Sequence, residues 1–236
     1  MDEKFGGFAL NSDLIIRMVA VSKTYTDVTR VEVFRGANLE VRSGEFLGIF
    51  APSGMGKTTL ILLLSGIIDP DSGDIHILGK NIVKMSRRER ALFRRENIGI
   101  VFQFFNLIAT LNVVENILLP MELNGMDRKE AIRRAYELLD IVGLRDKAYR
   151  FPPQLSGGEQ QRIALLRAVA HNPNIILADE PTGNLDEENK RVVFDLLKLI
   201  NRDFGCTIIV ATHDVGLASK YVTRALRIHN KRLEPY

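Results

Sequence analysis

One segment constrains this chain more than any other: the apolar run Phe46–Phe50, followed at once by Ala51-Pro52-Ser53-Gly54-Met55-Gly56-Lys57-Thr58-Thr59. An apolar run of that length suits a strand buried on both faces, as in a parallel sheet covered by helices. Helical sequence then runs from Gly56 to about Ser65. A buried strand, a tight Gly-containing loop and a helix turn consecutive backbone N–H groups and a positive helix end toward one point, which is what a polyphosphate requires. In such a cradle a lysine reaches the β- and γ-phosphates and the next hydroxyl holds Mg2+. Lys57 and Thr58 take those roles here, with Ser53, Gly54, Gly56 and Thr59 in the cradle wall. The pattern G-x-x-x-x-G-K-[ST] departs at one place, where Ala51 stands for the first glycine. If that position requires positive φ, alanine costs about 1 kcal/mol; in an ordinary strand-end conformation it costs nothing. A dinucleotide loop, G-x-G-x-x-G, fails because Thr59 occupies its last glycine position and Lys57 would have no role.

The rest of the chain is organised around that unit. With 236 residues, 46% of them hydrophobic and 26% charged, it can bury the core of one large α/β domain or of a core with one insertion. Leu14–Val19 and Asn38–Val41 predict strands, Pro70-Asp71-Ser72-Gly73 a turn, and Asp74–Leu78 with Gly79-Lys80 a small antiparallel hairpin. Between Ser86 and Ala170 helical periodicity dominates. Ser86 with Glu89 opens a short arginine-rich helix to about Arg95. Asp127 with Glu130 opens a longer one, with Ala131, Ala135, Leu138, Leu139 and Val142 on its apolar stripe and Gly143 as its stop. Strands return at Ile175–Ala178 and Thr207–Ala211, with a helix from about Glu187 to Arg202 between them, so both ends of the chain fold around one sheet. The arginine clusters, Arg87, Arg88, Arg90, Arg94 and Arg95, then Arg128, Arg133 and Arg134, are interleaved with acids and predict solvated helix faces.

Charge and cysteine content narrow the function classes. Lys+Arg 32 against Asp+Glu 29 is too small a surplus to bind nucleic acid by bulk electrostatics, so anion recognition has to be local. The single cysteine, Cys206, excludes an intrachain disulfide and a cysteine metal cluster, and reads as a small buried residue in a reducing compartment. Met1–Leu10 begins acidic and lacks the order of a signal peptide, which predicts a cytoplasmic chain. The apolar stretches Leu60–Leu64 and Ile208–Ala211 fall far short of the ~20 residues of a membrane-spanning helix, so any membrane role passes through a partner.

Two further segments carry chemistry. Ile175-Ile176-Leu177-Ala178-Asp179-Glu180 is a strand ending in two acids; with a phosphate loop upstream, Asp179 is placed to bind Mg2+ and Glu180 to polarise an attacking water. In Leu155-Ser156-Gly157-Gly158-Glu159-Gln160-Gln161, followed by a helix predicted over Arg162–His171, a serine and two glycines at a helix start make a second anion site. These segments, with Asn184-Leu185-Asp186 and Thr212-His213-Asp214, resemble in order and over nearly the whole chain the nucleotide-binding subunits of ATP-binding-cassette transporters. The resemblance implies an α/β fold: a P-loop NTPase (RecA-like) core with a mainly parallel sheet, an N-terminal antiparallel β subdomain and an inserted helical subdomain. Residues 1–97 and 171–236 would form the nucleotide-binding core of a single 1–236 domain, and 98–170 the helical part with the signature segment.

The same resemblance implies ATP hydrolysis with Mg2+ and a head-to-tail dimer, in which Ser156, Gly157 and Gly158 of one copy close over the nucleotide of the other. It assigns Gln103, at the end of a strand over Ile98–Phe102, to the metal and the attacking water. It assigns His213 to the γ-phosphate, Asp186 to a contact across the dimer and Tyr25 to stacking on adenine. Phe102-Gln103-Phe104-Phe105-Asn106-Leu107, Glu115-Asn116 with Leu119-Pro120, and Pro181–Asp186 look like the branch of lipoprotein-release, macrolide-export and cell-division ATPases. That likeness makes an integral membrane permease the partner, docking near Gln103, Phe104 and Phe105, with the chain peripheral at the inner membrane face. A nucleotide-gated scaffold of a membrane complex, moving no cargo, stays open as an alternative. A DNA-repair ATPase does not, because Gln103 and Ser156 are too close for the long coiled coil that separates the matching residues there.

Overall fold

The computed structural model describes residues 13–26 and 29–236; the acidic start of the chain, Met1–Leu10, lies outside them. In chain order the first half runs β1 (Leu14–Tyr25), β2 (Val31–Arg42), β3 (Phe46–Phe50), α1 (Lys57–Leu64), β4 (Ser72–Ile77), β5 (Lys80–Asn81), α2 (Arg87–Asn97) and β6 (Ile98–Val101). The second half runs α3 (Val113–Leu123), α4 (Arg128–Ile141), α5 (Gly157–Val169), β7 (Ile175–Asp179), α6 (Glu187–Phe204), β8 (Thr207–Thr212), α7 (Val215–Ala218), β9 (Arg224–His229) and β10 (Arg232–Pro235). A four-stranded antiparallel sheet has the order β2-β1-β4-β5. A six-stranded sheet has the order β10-β9-β3-β8-β7-β6, parallel except for the edge strand β10.

The pleat explains how one strand serves two cores. Leu47 and Ile49 of β3, Ile175 and Leu177 of β7, and Ile209 and Ala211 of β8 face α1 and the antiparallel sheet. Their neighbours Phe46, Phe50, Ile176, Ala178, Ile208 and Val210 face the helices α3 to α6. Helix α1 lies between the two sheets, and Leu60, Ile61, Leu63 and Leu64 are fully buried. At about 1.5–3 kcal/mol for each buried aliphatic side chain, this apolar helix holds the phosphate loop that precedes it against the sheet.

Several boundaries differ from the sequence reading, each for a local reason. The first two strands extend well beyond Leu14–Val19 and Asn38–Val41, because the ladder between β1 and β2 carries polar residues that alternate toward solvent. The helix predicted over Arg162–His171 begins at Gly157: Ser156 accepts from Glu159 N–H while Glu159 accepts from Ser156 N–H, a reciprocal capping box. Helix α3 was not visible in the sequence, where Pro120 argues against a helix interior; Asn112 and Glu115 cap it and Pro120 is carried within. The strand predicted over Ile98–Phe102 stops at Val101, leaving Gln103 in the turn beyond it. Because β6 pairs with β7, the boundary predicted at residue 98 cuts a core strand; the helical insertion starts after it. The arginine face of α2 is not wholly solvated either, since Arg90 is buried. Cys206 is buried as expected, and burial pushes its thiol up to about 11.

Gly99 of β6 marks where α5 meets the sheet. A Cβ there would stand 2.2 Å from the Ala168 carbonyl oxygen, a backbone atom that cannot turn aside. Gly99→Ala is therefore expected to destabilise the fold by about 1–3 kcal/mol. That is a fall in Tm of about 2–4 °C per kcal/mol, read by thermal denaturation; an unchanged Tm would show that α5 is not seated on β6.

Candidate functional site

The phosphate loop hangs from the end of β3, where Ala51 N–H donates to Thr212 C=O at 3.4 Å. Ala51 itself does not take positive φ, so alanine in place of glycine carries no backbone strain there. Gly54 (φ 79°) and Gly56 (φ 101°) do take it, and a Cβ on Gly56 would lie 2.5 Å from Val33 Cγ1. These two glycines let the loop curl onto the start of α1. The cavity above it measures about 310 Å3 and is lined by Ser53, Gly54, Gly56, Lys57, Thr58 and Thr59 from the loop and helix. Val33, Gln103, Glu180 and His213 complete it from other elements.

Charge is concentrated at the floor. Lys57 is buried, and its Nζ donates to Ala51 C=O (2.7 Å) and Pro52 C=O (2.9 Å) and stands 3.0 Å from Glu180 Oε1. Glu180 follows the tip of β7 with φ 46°, a left-handed conformation that costs an L-residue on the order of 1–2 kcal/mol. The strained backbone is held by Glu180 N–H donating to Ala211 C=O at 2.8 Å. It aims the carboxylate at Lys57, the Thr212 hydroxyl (3.2 Å) and His213 Nδ1 (2.9 Å). Burial pushes the Glu180 carboxyl up, but the hydrogen bonds and charges of His213 and Lys57 outweigh it and leave the group below the usual carboxylate range. Next to it, Asp179 accepts from the Thr58 hydroxyl through Oδ2 at 2.6 Å, while its Oδ1 is buried with no partner. Burial, reinforced by the Glu180 charge, holds the Asp179 carboxyl above its ordinary value despite the Thr58 bond.

That orphaned oxygen is what a divalent cation would satisfy. Thr58 and Asp179 are the residues that could hold Mg2+, with Gln103 on the same cavity wall. Gln103 is set by a reciprocal amide pair with Asn184 (3.3 Å each way) and lies over Gly183, where a Cβ would come within 2.8 Å of its Nε2. Asn184 entered the sequence reading only inside a motif, and its side-chain role as Gln103's partner carries no signal in spacing. Nor does that of Thr212, which hydrogen-bonds to Glu180.

Other predicted site residues lie elsewhere in this chain. Tyr25 reaches Thr59 Oγ1 at 3.4 Å and is not among the cavity-lining residues. Ser156, Gly157, Gly158 and Asp186 form a separate cluster at the starts of α5 and α6. Asp186 caps α6 through Asn189 N–H at 2.8 Å, and Gly158 approaches Asn189 so closely that a Cβ would fall 2.0 Å from Oδ1. The cavity and this cluster share no lining residue.

A strand, phosphate loop and helix with two acids at the tip of a nearby strand define a P-loop nucleoside triphosphatase. Residues 34–183 match the family model described as ABC transporter, and the chain belongs to that family. It is 45% identical over 227 residues to an uncharacterised ABC transporter ATP-binding protein of Mycobacterium tuberculosis, covering 96% of this chain and 91% of the relative. It is 39% identical over 223 residues to the lipoprotein-releasing system ATP-binding protein LolD of Legionella pneumophila, covering 94% and 98%. Among solved structures, the dimeric post-hydrolysis state of the ATP-binding cassette MJ0796 bound to ADP and Pi superposes with a TM-score of 0.85 at 36% identity, covering 93% of this chain and 96% of that one. The chain is thus an ATP-hydrolysing subunit that uses ATP with Mg2+.

If Asp179 takes the metal, Asp179→Asn removes the stabilisation that Mg2+ adds to the nucleotide-bound protein. At a hundredfold excess over Kd that stabilisation is about 2.7 kcal/mol, or a Tm increment of several degrees. Thermal melts with and without Mg2+ in the presence of ATP check it: the increment is expected to vanish while the ligand-free Tm moves by less than about 4 °C. A retained increment would take Asp179 out of the site.

Proposed function

We propose that two copies of this chain sandwich two ATP molecules and drive shape changes in an integral membrane permease, for lipoprotein or lipid extraction or for export. The observation that carries this reading is the separation of Ser156, Gly157, Gly158 and Asp186 from the phosphate cavity of their own chain. Ser156 and the glycines at the start of α5 present N–H groups and a hydroxyl suited to an anion, and a second copy is the source of one. The dimeric form of the MJ0796 cassette and the lipoprotein-releasing function named for LolD relatives support it.

In the proposed reaction Lys57 and the loop N–H groups hold the β- and γ-phosphates, and Tyr25 stacks on the adenine. Bound Mg2+ would supply charge neutralisation of the phosphate oxygens next to Thr58, Asp179 and Gln103. Glu180 orients a water for in-line attack on the γ-phosphorus and takes its proton as the bond to the bridging oxygen breaks. His213, already 2.9 Å from Glu180, contacts the γ-phosphate, and Ser156 and Gly158 of the second copy close the cage. Asp186 speaks across the dimer. The helical insertion ending near residue 170 carries this motion toward Gln103 and to Phe104 and Phe105, where the permease docks. Phe104 is 73% exposed, as a docking side chain would be. No helix of the described residues is long and apolar enough to cross a membrane, and the chain is placed at the inner membrane face through its partner.

Glu180→Gln tests the reading because it keeps the shape and removes the base. ATP binding is expected to persist, turnover to fall by at least about 10²-fold, and an ATP-dependent dimer to accumulate on a sizing column with light scattering. Parental turnover would exclude Glu180 as the water-activating group, and a strictly monomeric ATP-bound variant would exclude the sandwich.

A further inference from the structure

The arginines of α2 build a second anion pocket, away from the phosphate cavity and at the far end of α1. Gly66, at φ 64°, brings the chain after α1 against Arg90; a Cβ there would stand 2.7 Å from Arg90 Cδ. Arg90 is 8% exposed, donates to Asp69 and, at 3.3 Å, to Met85 C=O, and keeps a buried Nε with no partner. Arg94 reaches Ser65 C=O and Gly66 C=O, both at 3.3 Å, beyond the C-terminus of α1. Arg87 lines the same cavity of about 360 Å3. Burial, and then the neighbouring Arg90 charge, lower the basicity of the Arg94 guanidinium.

Three guanidiniums thus share one carboxylate, Asp69, whose own side chain is 58% exposed. Guanidinium groups taken partly out of water call for charge-assisted partners, and a carboxylate matches their fork of donors. Arg87 and Arg94 have no carboxylate within salt-bridge distance among the described residues. We propose that this pocket receives the carboxylate of an acidic residue from the permease partner. The proposal rests on the reading that such a partner exists.

A protein carboxylate fits better than a free anion because of what surrounds the arginines. Ile67, 47% exposed, stands in the pocket wall. Arg94 also lines a neighbouring groove of about 400 Å3 with apolar sides, among them Ile98, Leu119 and Pro120. One polypeptide segment can place its acid among the arginines and cover these side chains in the same contact, with apolar centre and polar rim; inorganic phosphate cannot. The contact would bear on the end of the rigid, buried helix whose other end opens at Lys57.

The test uses the complex as it is purified from cells. Arg87→Lys and Arg94→Lys keep the charge and add an amine that a carbodiimide joins to any carboxylate in contact. Mass spectrometry of the treated complex is expected to show that amine linked to an aspartate or glutamate of the co-purified membrane protein. Arg88→Lys, outside the pocket, is expected to form no such link. Arg87→Gln combined with Arg94→Gln is expected to cut recovery of the membrane protein at least about tenfold, with ATP affinity unchanged. An intact complex whose new lysines link only to Asp69, or to nothing, overturns the pocket assignment while leaving the functional reading in place. Loss of the partner on adding excess inorganic phosphate, with no cross-link formed, marks a free-anion site and also overturns it. If no membrane protein co-purifies with the unaltered chain, both readings fall.

Discussion

Two carboxylates, Asp179 and Glu180, stand side by side at the tip of β7, and one buried ammonium, Lys57, has to make that tolerable. Adjacent buried acids repel each other and lose their hydration, and each such charge costs several kcal/mol unless it is paired. The structure divides the problem unequally. Glu180 takes the lysine, the His213 ring and the Thr212 hydroxyl and stays ionised, whereas Asp179 keeps one oxygen with no partner and is pushed toward its neutral form. A site built this way is complete only with a cation beside Asp179 and polyphosphate beside Lys57. The two acids are therefore suited to different work although they are consecutive in the chain.

Holding that arrangement requires a rigid floor. Strands β3, β7 and β8 are buried on both faces, so their tips, from which Ala51, Asp179 with Glu180, and His213 emerge, are fixed relative to one another by parallel ladders. The left-handed conformation of Glu180 persists because the Ala211 carbonyl beneath it accepts its N–H. By contrast, the substitution of alanine for the first loop glycine is neutral, since the backbone at Ala51 never enters the region that favours glycine.

The helical insertion is tied to this floor at few places. Arg167 of α5 donates to Asn106 C=O (2.6 Å) and Phe105 C=O (3.0 Å), both residues with positive φ, and so fastens the turn after Gln103 to the helix that begins at Ser156. The Gln103–Asn184 amide pair joins the same turn to the loop before α6. A change in the position of α5 is thus transmitted to Gln103 through a few directed hydrogen bonds rather than through a broad apolar contact, the kind of link that can shift without unfolding the core.

Much of this was written in local sequence. The run Phe46–Phe50, the loop to Thr59, the paired acids after Ile175–Ala178 and the Ser86–Glu89 capping box are short-range patterns, and short-range patterns specify strands, cradles and helix starts because their physics is contained within a few residues. The pairing of Gln103 with Asn184, the burial of Arg90 beneath Gly66, the helix that carries Pro120 and the membership of β6 in the core sheet were decided by contacts between residues distant in the chain. Such contacts depend on which surfaces the completed sheet brings together, and no spacing records them. The amino-acid order therefore determined which groups can bind a nucleotide. Only the tertiary structure decided which of them share one cavity, because a signature segment at a helix start is local chemistry, whereas its distance from the phosphate loop is set by the whole fold.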